Sequence, residues 1–147
     1  MGAGQPQGAV PIFVPLSKYT QERGEPLDKR CKPILRGELY YADLSPTVVS
    51  EQGGIRPILI LQNDVGNRHS PTVIVAAVTG SPKKPLPTHV EIGSTKGISK
   101  SSVVLLEQLR TIDRTRLGGY IGRVSGKSLS QIDEALKISV GLAPALF

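Results

Sequence analysis

The chain has 147 residues, of which 39% are apolar, 20% charged and 4% aromatic, with no Trp. That is enough for one domain with its own core and hardly enough for two, and so few aromatics argue against a stacking platform for single-stranded nucleic acid. The formal net charge of +6 favours a polyanionic partner: RNA, DNA, an anionic membrane or an acidic protein. The single cysteine, Cys31, can neither close an internal disulfide nor build a zinc site by itself, which suits a reducing compartment such as the cytoplasm. No apolar run is long enough to cross a bilayer, and no signal peptide is evident.

Residues 1–32 differ from the rest. Met1 to Gly8 is rich in Gly, Gln and Ala, and the apolar cluster Val10 to Leu16 is broken by Pro11 and Pro15, which a central strand would not tolerate. This stretch reads as a flexible or loosely docked extension; a cloning tail or an over-long start assignment would account for part of it. Residues 33–147 carry the domain. Leu39 to Asp43 reads as a short strand, and Pro57 to Gln62 as a continuous apolar, central one. Asn63 to Pro71 reads as a polar turn. Thr72 to Thr79 is a buried strand rich in β-branched residues. Thr88 to Ile92 alternates and is expected to be half-buried. Val103 to Ile112 forms a long, bent strand pair, Gly118 to Gly122 reads as a hairpin turn, and Tyr120 to Val124 is a last short strand. A helix closes the chain. Ser128 with Gln131 gives a capping-box start, Leu129, Ile132, Leu136 and Val140 share one face, and Gly141 and Pro144 end it. Five to seven short strands and a terminal helix predict a small, mostly antiparallel β barrel with helical decoration.

The chemistry-bearing residues are telling mainly by what they exclude. The two histidines are His69, in a loop beside Arg68, and His89, in an alternating strand; a structural or surface role suits each better than an acid/base pair. No Asp/Glu/His set has metal-ligand spacing, and neither a phosphate-binding glycine loop nor a nucleophile elbow is present. A catalytic set must then be drawn from Arg, Lys, Ser, Thr, Gln and backbone groups. Such groups can hold a phosphodiester and stabilise its transition state. They suffice for RNA, which carries its own nucleophile in the 2′-hydroxyl, and not for DNA.

Against that background the run Arg36 to Pro46 (RGELYYADLSP), followed by Ser50 to Pro57 (SEQGGIRP), resembles the opening and the signature loop of the MazF/PemK-type toxins of bacterial toxin–antitoxin systems. The likeness continues in order through Gln62 to Asp64, Thr72 to Thr79, Leu86 to Val90 and Leu105 to Asp113, over residues 36–142. It is nearest to the EndoA-like branch, with Gly93–Ser102 and Gly118–Gly126 divergent. The resemblance implies an SH3-like barrel with a C-terminal helix, a cytoplasmic homodimer, sequence-specific cleavage of single-stranded RNA, and inhibition by a cognate antitoxin. It implies no metal and no other cofactor. Family alternatives are a gyrase-poisoning toxin of the same fold and a non-catalytic RNA-binding barrel.

The resemblance maps catalysis onto Arg56 and Thr79. Arg56 precedes Pro57, which biases it to an extended backbone, and a guanidinium can grip two phosphate oxygens. Because that group holds its proton so firmly, a clamp on the phosphorane and an acid toward the leaving oxygen are easier roles than a base. By spacing alone a structural salt bridge would serve as well. Thr79 ends its strand, where a hydroxyl can meet a phosphate. Gly53 and Gly54 allow close approach of an RNA backbone. Ser50, Glu51 and Gln52 in the loop, with Glu107 and Gln108 on a neighbouring strand, are candidates for reading RNA base edges. Lys83, Lys84 and Arg110 are candidates for general attraction of the RNA backbone.

Overall fold

The computed structural model describes residues 33–48, 51, 53–80, 84–93, 98 and 101–145; the extension 1–32 lies outside the described residues. Six strands form a mostly antiparallel sheet: β1 (Glu38–Asp43), β2 (Ile55–Ile60), β3 (Thr72–Thr79), β4 (His89–Glu91), β5 (Val103–Asp113) and β6 (Leu117–Arg123). A short helix α1 (Asp64–His69) joins β2 to β3, a 3-10 turn (Arg114–Arg116) joins β5 to β6, and α2 (Gly126–Ser139) follows. The strand order is β4-β5-β3-β2-β1-β6. The expected barrel is corrected in one respect. Its edges, β4 and β6, do not pair among the described residues, so the sheet is not closed.

Alternation along the strands divides the core into two layers. Leu39, Leu59, Ala76, Val78, Val104 and Leu106 face α2 and pack on its Ile132 and Ala135. Tyr40, Ala42, Ile58, Ile60, Val75 and Ala77 face the other way, with Leu44, Ile112 and Leu117. Each layer is fully desolvated at its centre: Leu39, Ile58, Leu59, Ile60, Leu106 and Ile132 are buried. Burying a side chain of that size contributes roughly 1.5–3 kcal/mol.

Several boundaries differ from the sequence reading, each for a local reason. Asn63 to Pro71 is not all turn: Asn63 caps α1 by accepting from the Gly66 N–H at 2.8 Å. The terminal helix starts at Gly126, not after Ser128, because the Ser125 side chain accepts from the Ser128 N–H. Its end is as read. Gly141 has φ +82°, and Leu142 N–H donates to Lys137 O at 2.7 Å while Gly141 N–H donates to Ile138 O, a Schellman termination. Gly118 to Gly122 lies inside β6 and is no hairpin turn. A Cβ on Gly118 would stand 3.4 Å from the Tyr41 carbonyl oxygen, so glycine permits the close approach of β6 to β1. Val103 to Asp113 is one strand with an internal bend. Ala77 pairs with Leu105 but Ala76 pairs with Leu109, which leaves Leu106, Glu107 and Gln108 in a wide bulge that redirects their side chains.

Candidate functional site

β2 and β3 pair Ile58 with Ala77, Leu59 with Ala76 and Ile60 with Val75. The pairing of β2 with β3 ends at Ile58 and Ala77; Arg56 lies two residues before the one and Thr79 two residues after the other. The two residues expected to carry catalysis, 23 positions apart in the chain, therefore lie at the same end of this strand pair. On the other side Arg56 pairs with Ala42, whose small buried side chain leaves room for a guanidinium. Thr79 is buried. The Arg56 Nη1 is fully buried and has no hydrogen-bond partner. A buried donor without an acceptor costs about 1–3 kcal/mol, and more when charged; among the described residues the other buried side-chain atom without a partner is the neutral Asn67 Oδ1.

The loop from Leu44 to Gly54 runs directly into Arg56. Its two ends are pinned together: Leu44 N–H donates to Gly54 O at 2.9 Å, and Gly54 N–H donates to the Ser45 hydroxyl at 3.2 Å. The Ser45–Pro46 peptide is cis. A Cβ on Gly53 would lie 2.4 Å from the Thr47 hydroxyl oxygen, and Gly54 has φ +75°, so both positions call for glycine, one sterically and one conformationally. Glu51 is exposed and folds back on the loop, its Oε1 accepting from the Val48 N–H at 2.9 Å. Ser50 and Gln52 lie outside the described residues.

Glu107 and Gln108 stand in the β5 bulge. Gln108 is half-buried. Glu107 is held at both oxygens: Thr88 Oγ1 donates to Oε1 at 2.8 Å, and His89 Nε2 lies 2.8 Å from Oε2. The other ring nitrogen of His89 accepts from the Leu86 N–H at 3.3 Å, which puts the proton on Nε2 and makes it the donor to Glu107. His89 pairs with Leu105, and Leu105 with Ala77, so this cluster lies on the Arg56–Thr79 side of the sheet. The sequence reading gave His89 a structural role, and its partner was not foreseen; the only signal was the polar pair Thr88–His89 opening an alternating strand. A cleft of about 860 Å³ follows the β4 edge beside it, lined by Gly80, Leu86, His89 and Ser101 and by Gln131 and Glu134 of α2.

The basic residues separate. Lys84 is exposed, whereas Arg110 is half-buried and donates to the Leu44 carbonyl; Lys83 lies outside the described residues. Among the described residues no group of three His, Cys, Asp or Glu side chains is placed to hold a metal ion, and no helix is long and apolar enough to cross a membrane.

The family of PemK-like, MazF-like toxins of type II toxin–antitoxin systems matches residues 35–140. The chain belongs to this family. It is 54% identical over 111 residues to the endoribonuclease EndoA of Bacillus subtilis, covering 74% of this chain and 96% of that protein. Among solved structures it is similar to a mycobacterial endoribonuclease in complex with its cognate antitoxin, with a TM-score of 0.64 and 29% identity over 75% of this chain and 97% of that one. It is also similar to MazF of Deinococcus radiodurans, with a TM-score of 0.66 and 26% identity over 75% and 98%. The matched region of this MazF-like toxin starts within three residues of the first described residue and ends at the C-cap of α2, so it takes in the sheet, the loop and both polar clusters.

Proposed function

We propose that the chain is the toxin of a type II toxin–antitoxin system: a sequence-specific, metal-independent endoribonuclease that cleaves single-stranded mRNA and so stops translation and growth. The observation that carries the reading is Arg56, half-buried with one nitrogen unpaired, at the end of the β2–β3 pair that also carries Thr79. A phosphate oxygen pairs with such a guanidinium by charge-assisted hydrogen bonds.

In the proposed reaction the 2′-hydroxyl of the substrate attacks the adjacent phosphorus in line and passes its proton to solvent water. The bond to the 5′-oxygen breaks, that oxygen gains a proton, and the products end in a 2′,3′-cyclic phosphate and a 5′-hydroxyl. Arg56 clamps the non-bridging oxygens as charge builds on them and donates toward the leaving oxygen, where a fixed cation acts most. Thr79 adds a neutral donor to the same phosphate. Ser50, Glu51, Gln52, Gly53 and Gly54 of the loop, with Glu107 and Gln108, line the path of the flanking nucleotides and read their base edges. Glu107 reads with the lone pairs that Thr88 and His89 leave over.

Two copies of the chain form the working homodimer, in the cytoplasm where mRNA is found, and a cognate antitoxin silences it, as the mycobacterial relative's complex suggests. The test is mapping of cut sites on a long RNA in excess EDTA, with end-group analysis. Cuts at a recurring short sequence bearing 2′,3′-cyclic phosphate ends are expected. A gyrase poison or a non-catalytic RNA binder would leave the RNA whole, and dependence on added divalent metal would overturn the metal-free mechanism.

A further inference from the structure

Two arginines from outside the Leu44–Gly54 loop converge on its root. Arg110, in the middle of β5, donates through Nη1 to the Leu44 carbonyl. Arg116, in the 3-10 turn, donates through its own Nη1 to the Ser45 carbonyl at 2.6 Å and to the Asp43 carbonyl at 3.3 Å. Three consecutive carbonyls are thus gathered by two guanidiniums. Among the described residues the loop's remaining hydrogen bonds are local. They join Leu44 and Ser45 to Gly54, Ser45 to Asp43, and Val48 to Glu51. Val48, farther along the loop, is 71% exposed.

Arg56 is held differently. It sits within β2, paired to β1 at Ala42, so its place is fixed by the sheet. Glu107 and Gln108 belong to β5, whereas Glu51 hangs from the loop, and the loop hangs from its root. We propose that Arg110 and Arg116 are positioning residues that fix this root and thereby set the sequence selectivity of cleavage, leaving the chemical step to the sheet. This rests on the endoribonuclease reading. It gives Arg110 a part that backbone attraction alone would not require, and assigns Arg116 a role that its sequence context does not suggest. One Arg116 nitrogen spans two carbonyls, a contact that a lysine ammonium with its three donors reproduces in part.

The chain has no Trp, so Val48→Trp places a unique fluorophore on the exposed outer loop. Its anisotropy is compared in the full chain carrying Arg110→Gln, Arg116→Gln or Arg116→Lys, alongside site-resolved single-turnover cleavage in EDTA. The expected result is lower anisotropy in both Gln variants. The ratio of cleavage at preferred over non-preferred sites falls about tenfold or more, the scale on which one mispositioned polar reader loses discrimination. In Arg116→Gln the rate at saturating RNA falls by less than about threefold, since an interaction made equally in ground and transition states leaves that rate alone. Arg116→Lys restores part of the selectivity. Unchanged anisotropy and selectivity in both Gln variants would overturn the proposal. So would an equal fall in rate at every site together with a lowered melting temperature, the mark of a general structural residue. If Arg110→Gln does not fold, Arg116→Gln, whose contacts lie at the surface, carries the test alone. A parent protein that cuts no RNA overturns the endoribonuclease reading instead; the anisotropy arm needs no RNA and still decides whether the arginines hold the loop.

Discussion

Two arginines placed inside the fold meet opposite conditions. Arg114, in the 3-10 turn, is buried and donates to the carbonyls of Asn67 and Ser70, which closes the C-terminal end of α1 against the strand that follows. Lone pairs there meet a cation near a helix C-terminus, where positive charge is favoured. Arg56, at the start of β2, buries Nη1 and finds no acceptor for it. The first arrangement pairs the guanidinium with the protein's own carbonyls, although Asn67 Oδ1 beside it stays unpaired. The second leaves the guanidinium itself incomplete at one atom, at the exit of a glycine-bearing loop. A fold tolerates such a cost where another molecule supplies the partner, and the contrast between the two residues locates the site more sharply than charge or exposure does.

That contrast can be broken by substitution. Arg56→Ala should lower the single-turnover cleavage rate about 10²–10³-fold, the range for removing one preorganised donor to transition-state charge. Arg114→Met should instead lower stability by about 2–4 kcal/mol in urea denaturation, because the buried Asn67 carbonyl and the half-buried Ser70 carbonyl lose a charged donor, while cleavage per folded molecule is kept. If the two variants exchange these outcomes, the roles have been assigned the wrong way round. Thr79→Val removes one neutral hydroxyl and should slow cleavage about tenfold, the worth of a single hydrogen bond, with little change in melting. Gly54→Ala is the mildest. Nothing lies within 4 Å of the new Cβ, but φ is +75°, so equilibrium denaturation should show a loss of about 1 kcal/mol from the backbone alone.

The elements were legible where periodicity was long. Thr72–Thr79 was readable to the residue, since eight apolar and β-branched positions bounded by Pro71 and Gly80 admit little else. The C-terminal helix was readable from its apolar face, although its cap belongs to Ser125. α1 was missed because six residues cover too few turns to show a period; Asn63 followed by Gly66 was the only cue, and it is shared with turns. An open sheet could not be told from a closed barrel, since closure depends on whether β4 meets β6 and no local pattern encodes that. The site was half legible. Arg56 and Thr79 could be singled out one by one through the resemblance, but that they lie at the same end of the β2–β3 pair follows from strand register. The hold of Thr88 and His89 on Glu107 depends on a bulge between Leu105 and Leu109 that alternation does not foretell. Arg110 looked like a surface cation because its partner, the Leu44 carbonyl, is a backbone atom and carries no sequence signature.

The central claim is that Arg56 is kept without a protein partner for the sake of the substrate. It is tested most directly by melting Arg56→Met beside the parent, alone and with an RNA made uncleavable by a 2′-deoxy sugar at the mapped cut site. The parent should gain stability from that RNA, since a ligand bound only by the folded state raises its melting temperature. The variant should melt at or above the parent's temperature without RNA and lose most of the gain with it. A variant that melts several degrees below the parent on its own, yet gains as much from RNA, would show Arg56 to be a structural residue and contradict the account.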